Sequence, residues 1–309
     1  MKKIKEAESM EIGIIGLGKM GLNLAENMVD QGYTVYGMDV NPSLKDKVNA
    51  KGIQFAESIE ELLSDFSNQK TIWMMLPAGE ITEAIFQKIK QHLSPGDRII
   101  DGGNAHFEDS KRRGAECEEK SLHFFDVGTS GGVSGARSGA CMMIGGDAEA
   151  FAEIEEIFAA VNVADGYLYT GPSGSGHYLK MVHNGVEYGM MQSIGEGFNV
   201  LQHAEYDFDM GKVAKVWNNG SVIRSWLMEL AFDFLTENAR LDDIEGVIHS
   251  SGEGQWTVQE AMKMQVPVPV IAQSLMVRYS SMDKEKYGEK VAASLRNGFG
   301  GHAVVKKED

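Results

Sequence analysis

Residues Glu11–Asp39 read EIGIIGLGKMGLNLAENMVDQGYTVYGMD, and this stretch sets the expected fold. Ile12–Ile15 is an apolar run of the length of a buried strand, and an amphipathic helical pattern follows it to Asp30. Thr34–Met38 is a second short apolar run. Strand, helix and strand at this spacing predict two parallel strands joined by a crossover helix.

A glycine-rich motif lies between the first strand and the helix: Gly16, Leu17, Gly18, Lys19, Met20 and Gly21. In a dinucleotide-binding turn the first glycine permits the tight bend, the second lets the backbone approach a pyrophosphate, and the third lets helix and strand pack closely. The helix amides would then face the phosphates. An ordinary glycine turn would also fit the motif alone, but its position at the first strand–helix turn favours a cofactor site.

Asp39 ends the second strand, 18 residues after Gly21, where an acidic residue accepts hydrogen bonds from the adenosine ribose. Its carboxylate would repel a 2′-phosphate. The following residues Val40–Ser43 include no lysine or arginine that could bind one. The sequence therefore predicts NAD as the cofactor, in preference to NADP.

The rest of the chain predicts two domains. Further strands are expected at Ile72–Leu76, Arg98–Asp101 and Phe124–Val127, which gives an α/β, doubly wound parallel sheet of the Rossmann type. Helical patterns dominate from Gly174 onward. Because Thr170–Gly176 (TGPSGSG) can continue neither element, we expect a NAD-binding domain at 10–172 and an all-helical domain for substrate binding and oligomerisation at 173–309.

Composition narrows the class of protein. The 309 residues carry a formal charge of −16, which disfavours nucleic acid and anionic membranes as partners. No apolar run is long enough to cross a bilayer, and Met1–Ser9 lacks the apolar core of a signal peptide. The two cysteines are expected to be reduced thiols of a cytoplasmic protein, and His106, His123 and His203 have no second ligand at metal spacing, so no metal is expected.

Four different polar groups share one face of the predicted long helix. Lys180, His183, Asn184 and Glu187 are spaced i, i+3, i+4 and i+7. An exposed polar stripe with a Lys–Glu pair would give the same spacing. The glycine-rich start of the helix, and the mixture of cation, imidazole, amide and carboxylate, favour a chemical site.

Two glycine-rich segments follow predicted strands, where ligands bind in doubly wound sheets. Asp101–Asn104 (DGGN) would bring an amide to a ligand, and the loop Gly128–Gly135 could hold a carboxylate. Flexible loops would explain both equally well. Arg112 and Arg113, a little further on, are expected to lie on a solvated helix start.

These residues together resemble the 6-phosphogluconate dehydrogenase family, in its short form, within the β-hydroxyacid dehydrogenase superfamily. The matching segments run along most of the chain: Gly16–Gly21, Asp101–Asn104, Ser130–Gly132, Gly176–Tyr188 (GHYLKMVHNGVEY), Gly252–Thr257 (GEGQWT) and Arg296–His302 (RNGFGGH). The resemblance implies NAD-dependent oxidative decarboxylation of 6-phosphogluconate to ribulose 5-phosphate and carbon dioxide.

The resemblance also implies roles for individual residues. Lys180 would be the general base, which requires burial or nearby cations to lower a lysine pKa, and Glu187 would be the acid that protonates the enediol. Leu76 and Asn104 would contact the cofactor. The expected substrate-binding residues are Asn104, Ser130, Gly131, Gly132, His183, Asn184, Tyr188, Arg278, Arg296 and His302. Arg296 and His302 would reach the site of a neighbouring subunit, in a dimer or a tetramer.

Two departures from the family pattern concern the substrate phosphate. The family's phosphate-binding lysine is replaced by Ser251, and the cation before the tryptophan of GEGQWT is replaced by Gln255. A dehydrogenase of a non-phosphorylated β-hydroxy acid, such as gluconate or 3-hydroxyisobutyrate, is therefore an alternative. A non-catalytic NAD-binding regulator is another, although such a protein has no need of an acid–base pair.

Overall fold

The computed structural model describes residues 10–307 of the chain. The first of two structural units ends at His183 and the second begins at Asn184. The predicted boundary at 172 and 173 lies between the last strand, which ends at Gly171, and a helix that begins at Ser175. That helix carries the chain from the first unit into the second.

The first unit contains one eight-stranded sheet and its connecting helices. The strands are β1 (Glu11–Ile15), β2 (Thr34–Met38), β3 (Gln54–Ala56), β4 (Thr71–Met74), β5 (Arg98–Asp101), β6 (His123–Ser130), β7 (Ala140–Gly146) and β8 (Asn162–Gly171). The helices are α1 (Lys19–Asp30), α2 (Lys45–Asn49), α3 (Ile59–Ser64), α4 (Glu80–His92), α5 (Phe107–Glu118), α6 (Gly132–Ser138), α7 (Ala148–Val161) and the start of α8 (Ser175–Gln202), with a 3₁₀ turn at Pro42–Leu44.

The strand order is β3-β2-β1-β4-β5-β6-β7-β8. All neighbours are parallel except β6 and β7, which are antiparallel. The predicted doubly wound parallel sheet is therefore confirmed for its first part. The antiparallel pair extends β6 to Ser130, which pairs with Cys141, so the predicted loop Gly128–Gly135 was wrong in its first three residues. Those residues form strand because β7 supplies hydrogen-bonding partners for them.

Side chains alternate along the strands between two apolar cores. Ile12 and Ile14 of β1 belong to one core, and Ile15 belongs to the other. The same alternation divides Trp73 from Met74 in β4. Because both faces are covered by helices, the strands carry near-continuous apolar runs, as the sequence indicated.

The second unit is helical in its described part. It contains the rest of α8, followed by α9 (Met210–Asn218), α10 (Trp226–Glu237), α11 (Glu253–Lys263), α12 (Pro269–Met282) and α13 (Tyr287–Gly300). A small core joins α9 to α10 through Met210, Ala214, Met228, Ala231 and Leu235. Across residues 10–307, every helix is too short or too polar to span a bilayer.

Candidate active site

The glycine-rich turn after β1 is built for close backbone contact. Gly16 has φ +96°, and a Cβ there would lie 2.4 Å from the carbonyl oxygen of Met75. A Cβ on Gly21 would lie 1.9 Å from the carbonyl oxygen of Gly16, so only glycine lets α1 pack on the turn. Gly18 is the N-cap of α1 and supplies no side-chain cap, and no atom lies within 4 Å of its Cβ position. The turn therefore leaves room for an anion at the helix amides.

Asp39 is fixed against this turn. Its Oδ2 accepts a hydrogen bond from the backbone N–H of Leu17 at 2.8 Å, and its Oδ1 accepts one from Asn41 at 2.9 Å. Leu76 lies on the other side of the turn, with its Cδ2 2.9 Å from the Cβ position of Gly16. Turn, acidic residue and Leu76 thus lie together in the first unit, and this arrangement fits a dinucleotide.

The Asp101–Asn104 loop lies next to the same part of the sheet. A Cβ on Gly103 would lie 2.5 Å from the carbonyl oxygen of Leu76, so the loop packs directly on that residue. Asp101 is fully buried, and its Oδ1 accepts the backbone N–H of Gly103 at 3.2 Å. Its Oδ2 accepts a hydrogen bond from Nη1 of Arg113 at 2.9 Å. Asn104, at the end of the turn, is exposed.

The expectation for Arg113 was wrong. It is 1% exposed, whereas the neighbouring Arg112 lies at the surface in ion pairs with Glu83 and Glu116. The reason is tertiary: α5 turns Arg113 toward the buried Asp101. Burial raises the pKa of Asp101, while the charges of His177 and Arg113 oppose that shift.

Lys180, His183 and Ser130 form the chemically most informative group. Lys180 is 6% exposed, and its Nζ lies 3.5 Å from Nδ1 of His183. The other ring nitrogen of His183 lies 3.3 Å from Oγ of Ser130. The spacing of these residues was also compatible with a solvent-exposed polar stripe on the helix. Because Lys180 is buried, that alternative does not hold for this part of the helix.

A glycine in β6 makes room for this group. A Cβ on Gly128 would lie 2.2 Å from Cβ of Lys180, so only glycine fits beneath the lysine stem. Gly131 and Gly132 follow Ser130 with φ of +111° and +59°, and Gly131 is the N-cap of α6. Ser130 contacts His183, and Gly131 and Gly132 follow it directly in the chain.

Asp126 holds the start of the lysine-bearing helix and was not predicted. It is fully buried, and its two oxygens accept the backbone N–H groups of Gly174 and His177 at 2.6 and 2.7 Å. His177 is in turn 2.7 Å from Oγ of Ser110 through Nδ1. The sequence signal for this role was a carboxylate inside the apolar run FFDV. A charge buried in a strand of this kind needs hydrogen-bonding partners, so Asp126 could have been expected to hold a neighbouring segment.

A second group lies in the second unit, around Tyr188. The guanidinium of Arg278 lies 3.4 Å from the centre of the Tyr188 ring and donates to the carbonyl oxygen of His249 at 2.8 Å. The hydroxyl oxygen of Tyr188 accepts the backbone N–H of Ser251 at 3.2 Å. Ser251 donates through its own hydroxyl to Oε2 of Glu253 at 2.6 Å, and Glu253 is 3% exposed.

The remaining predicted residues occupy α8 and the end of the chain. Asn184 is buried and Glu187 is half-buried on α8. Arg296, on α13, and His302, just after it, are exposed, and α13 buries none of its residues. Residues 10–307 contain no group of three or more His, Cys, Asp or Glu side chains arranged to hold a metal.

A glycine-rich turn with an acidic partner on a doubly wound sheet defines the class of Rossmann-type, dinucleotide-binding proteins. Comparisons with known proteins specify the family. Residues 11–171 match the NAD binding domain of 6-phosphogluconate dehydrogenase, and residues 176–307 match the C-terminal domain of the same enzyme. The chain belongs to the 6-phosphogluconate dehydrogenase family.

Relatives of two lengths match the chain. The YqeC protein of Bacillus subtilis is 50% identical over 298 residues, which cover 96% of this chain and 100% of that protein. A protein of Haloferax volcanii named "6-phosphogluconate dehydrogenase, NAD(+)-dependent, decarboxylating" is 43% identical over 97% of this chain and 100% of its own length. The Candida albicans 6-phosphogluconate dehydrogenase is longer: the 38% identical match covers 92% of this chain but 57% of that enzyme.

Solved structures agree with the family assignment. The Plasmodium falciparum 6-phosphogluconate dehydrogenase superposes with a TM-score of 0.81 and 29% identity, over 97% of this chain and 67% of that one. A Mycobacterium tuberculosis 3-hydroxyisobutyrate dehydrogenase has a TM-score of 0.71 at 20% identity, over 88% of this chain and 93% of that one. The second likeness shows a shared fold.

Proposed function

We propose that the protein catalyses the NAD-dependent oxidative decarboxylation of 6-phosphogluconate to ribulose 5-phosphate and carbon dioxide. The observation that carries the proposal is the buried Lys180, with its Nζ 3.5 Å from His183 and with His183 3.3 Å from Ser130. Family membership and the name of the Haloferax volcanii relative support it. We infer that the enzyme works in the cytoplasm, since Cys117 and Cys141 are both free thiols, which a reducing compartment maintains.

Oxidation needs a base at C3 of the sugar acid. Lys180 in its neutral form would take the proton of the C3 hydroxyl, and NAD, when bound, supplies the acceptor for the hydride that leaves C3. Burial favours the neutral amine over the ammonium. The neutral amine is the form that can accept a proton as a base. His183 and Ser130 would orient the lysine and hold the substrate hydroxyls, while Gly131, Gly132 and Asn184 would hold the carboxylate.

Decarboxylation follows from the product of oxidation. The new C3 ketone is β to the carboxylate, so the bond between C1 and C2 can break with its electrons moving to the ketone oxygen. Lys180, now protonated, would donate to that oxygen as the enediol forms. Glu187, two turns further along α8, would protonate C1 of the enediol while the neutral Lys180 takes back the proton of the C2 hydroxyl, which gives ribulose 5-phosphate. Asn104 would contact both the substrate and the cofactor, and Tyr188 and Arg278 would bind the phosphate.

The direct test is an assay of NADH production and carbon dioxide release with 6-phosphogluconate. Lys180→Ala should bind NAD normally and lose turnover by on the order of 100-fold or more, since general-base catalysis contributes about 10²–10⁴-fold. Lys212→Ala is the matched control, because Lys212 is an exposed helix lysine paired only with Asp209 among the ion pairs described. Unchanged turnover in Lys180→Ala would contradict the role of Lys180 as the base, whereas a wild type that binds NAD without any turnover would favour a non-catalytic NAD-binding protein.

Preference for NAD over NADP is part of the proposal. Both oxygens of Asp39 accept backbone hydrogen bonds, so the carboxylate is held in place beside the turn and would repel a 2′-phosphate. The family contains NADP-dependent members, such as one from Bacillus subtilis that is 36% identical. Equal kcat/KM for the two cofactors would contradict the preference.

A second candidate is a dehydrogenase of the same reaction type acting on a non-phosphorylated acid such as gluconate. It is favoured by the surroundings of Tyr188, where Ser251 replaces a lysine and donates to the buried carboxylate of Glu253. Arg278 remains as a cation there. Measuring kcat/KM for 6-phosphogluconate and gluconate separates the candidates: a large preference for the phosphorylated acid supports the main proposal, and equal values support the second.

We infer that the active form is a homo-oligomer, a dimer or a tetramer, in which Arg296 and His302 reach a neighbouring subunit's site. Support comes from α13, which buries no residue yet carries Tyr287, Val291, Leu295 and Phe299 at four-residue spacing, all exposed. Such an apolar stripe is stable in water when another surface covers it.

Mixing two inactive variants tests the shared site. Lys180→Ala and His302→Ala should each be inactive alone, and a refolded mixture should regain part of the activity in mixed oligomers. A single-species molecular mass of 33.8 kDa in solution, or no recovery on mixing, would contradict the inference.

A further inference from the structure

Four ionisable side chains that the proposed reaction does not use are buried together in the first unit. Asp101 and Asp126 are fully buried, and Arg113 and His177 are 1% and 2% exposed. Burying an ionised group costs several kcal/mol unless it is paired and hydrogen-bonded. Two places are contacted by this cluster: the loop that ends in Asn104, through Asp101, and the helix that carries Lys180, through Asp126 and His177.

Arg113 holds the loop through Asp101. Its Nη1 donates to Oδ2 of Asp101 at 2.9 Å, and its Nε donates to Oε2 of Glu83 at 3.1 Å. The other Asp101 oxygen accepts the N–H of Gly103, the residue just before Asn104. The planar guanidinium therefore fixes the carboxylate, and the carboxylate fixes the turn that presents the amide.

Ser110 holds the lysine-bearing helix through His177. Its Oγ lies 2.7 Å from Nδ1 of His177, which is one helical turn before Lys180. Ser110 is one turn before Arg113 on α5, so both side chains leave the same face of that helix. The same face thus contacts both the Asn104 loop and the start of α8.

We propose that this buried face of α5 is a positioning element, in which Arg113 acts through Asp101 on Asn104 and Ser110 acts through His177 on Lys180. Neither side chain is assigned a contact with substrate or cofactor. The inference rests on the proposed function for its kinetic consequences, because Asn104 and Lys180 act in that reaction. Its structural consequence, the order of the 101–104 turn, can be measured without any substrate.

The test compares Arg113→Met with Arg112→Met, two substitutions of the same kind at adjacent positions of α5. Arg113→Met should lower kcat by on the order of 10–100-fold, the effect of displacing reacting groups by a fraction of an ångström to one ångström. The Kd of NADH should change less, because the Gly16–Gly21 turn does not depend on Arg113. Arg112→Met should change kcat by less than about twofold, since Arg112 is 43% exposed and pairs with Glu83 and Glu116 rather than with Asp101.

Ser110→Ala keeps the proposal testable if Arg113→Met folds poorly. It removes the contact between Oγ of Ser110 and Nδ1 of His177, so kcat should fall by roughly 2–10-fold while the Kd of NADH stays near the wild-type value. Arg113→Lys is a further comparison: it keeps the charge but cannot reach Asp101 and Glu83 with one planar group, and it should recover stability more than kcat.

Hydrogen exchange separates this inference from the proposed function. In Arg113→Met the amides of residues 101–104 should exchange faster than in the wild type, and in Arg112→Met they should not. If the wild type fails to turn over 6-phosphogluconate, the proposed function is wrong, and the exchange result alone decides the role of Arg113. Unchanged exchange at 101–104, or a kcat loss equal in Arg112→Met and Arg113→Met, would overturn the positioning role.

Discussion

Gly128→Ala tests whether the lysine is held where the chemistry needs it. Gly128 lies in β6 beneath α8, and a Cβ there would lie 2.2 Å from Cβ and 2.8 Å from Cγ of Lys180, with the carbonyl oxygen of Gly176 at 3.2 Å. Ordinary van der Waals contact begins at 3.4 Å, so the lysine stem must move away by about 1.2 Å. The clashing atoms are at the base of a helical side chain, which cannot rotate out of the way.

The expected result is a protein that folds and binds NAD but turns over slowly. A displacement of about 1 Å in a catalytic group can cost on the order of 100-fold in rate. Overpacking of this kind should also lower the free energy of unfolding by about 1–3 kcal/mol. The Kd of NADH, measured by fluorescence, should stay near the wild-type value because Gly16–Gly21 lies elsewhere in the unit.

Gly197→Ala is the matched control, since Gly197 lies on the same helix with no atom within 4 Å of its Cβ position. Alanine there should raise the free energy of unfolding by roughly 0.5–1 kcal/mol and leave kcat unchanged. If Gly128→Ala keeps kcat within about threefold of the wild type, the position of Lys180 does not set the rate, and the reasoning from the close packing of Gly128 against the lysine stem is refuted.

Three further predictions concern the first unit. Ellman's reagent should modify the exposed Cys141 quickly, whereas burial raises the pKa of Cys117 to about 12 and should delay its reaction until unfolding; two fast thiols per chain would contradict this. The ion pair with Lys90 lowers the pKa of Glu116 to about 2. Glu116→Gln should therefore lower the free energy of unfolding by about 1 kcal/mol at pH 7. The difference between wild type and variant should disappear as pH falls from 4.5 toward 2, because Glu116 then becomes protonated in the folded protein. Asp39→Ala should raise KM for NAD and leave KM for the sugar acid unchanged, and a reversed pattern in steady-state kinetics would exclude its cofactor role.

Local patterns of apolar residues predicted several strands and the long helix. The strands β1, β2, β4 and β5 and the long helix α8 were expected within a few residues of their observed bounds, because apolar runs and helical periods are local signals. β7 and β8 were not expected. Their pairing depends on residues far away in the chain, and the extension of β6 to Ser130 depends on the same pairing.

The sequence by itself determined the dinucleotide-binding turn, the acidic residue after β2 and the polar face of α8, since each is a matter of residue type and spacing. Only the tertiary structure decided which charges are buried. It turned Arg113 inward onto Asp101 while its neighbour Arg112 stayed at the surface, and it set Asp126 beneath the first turn of α8. The physical reason is that the cost of burying a charge depends on partners brought together by folding, and one residue of difference along a helix turns a side chain by about 100°.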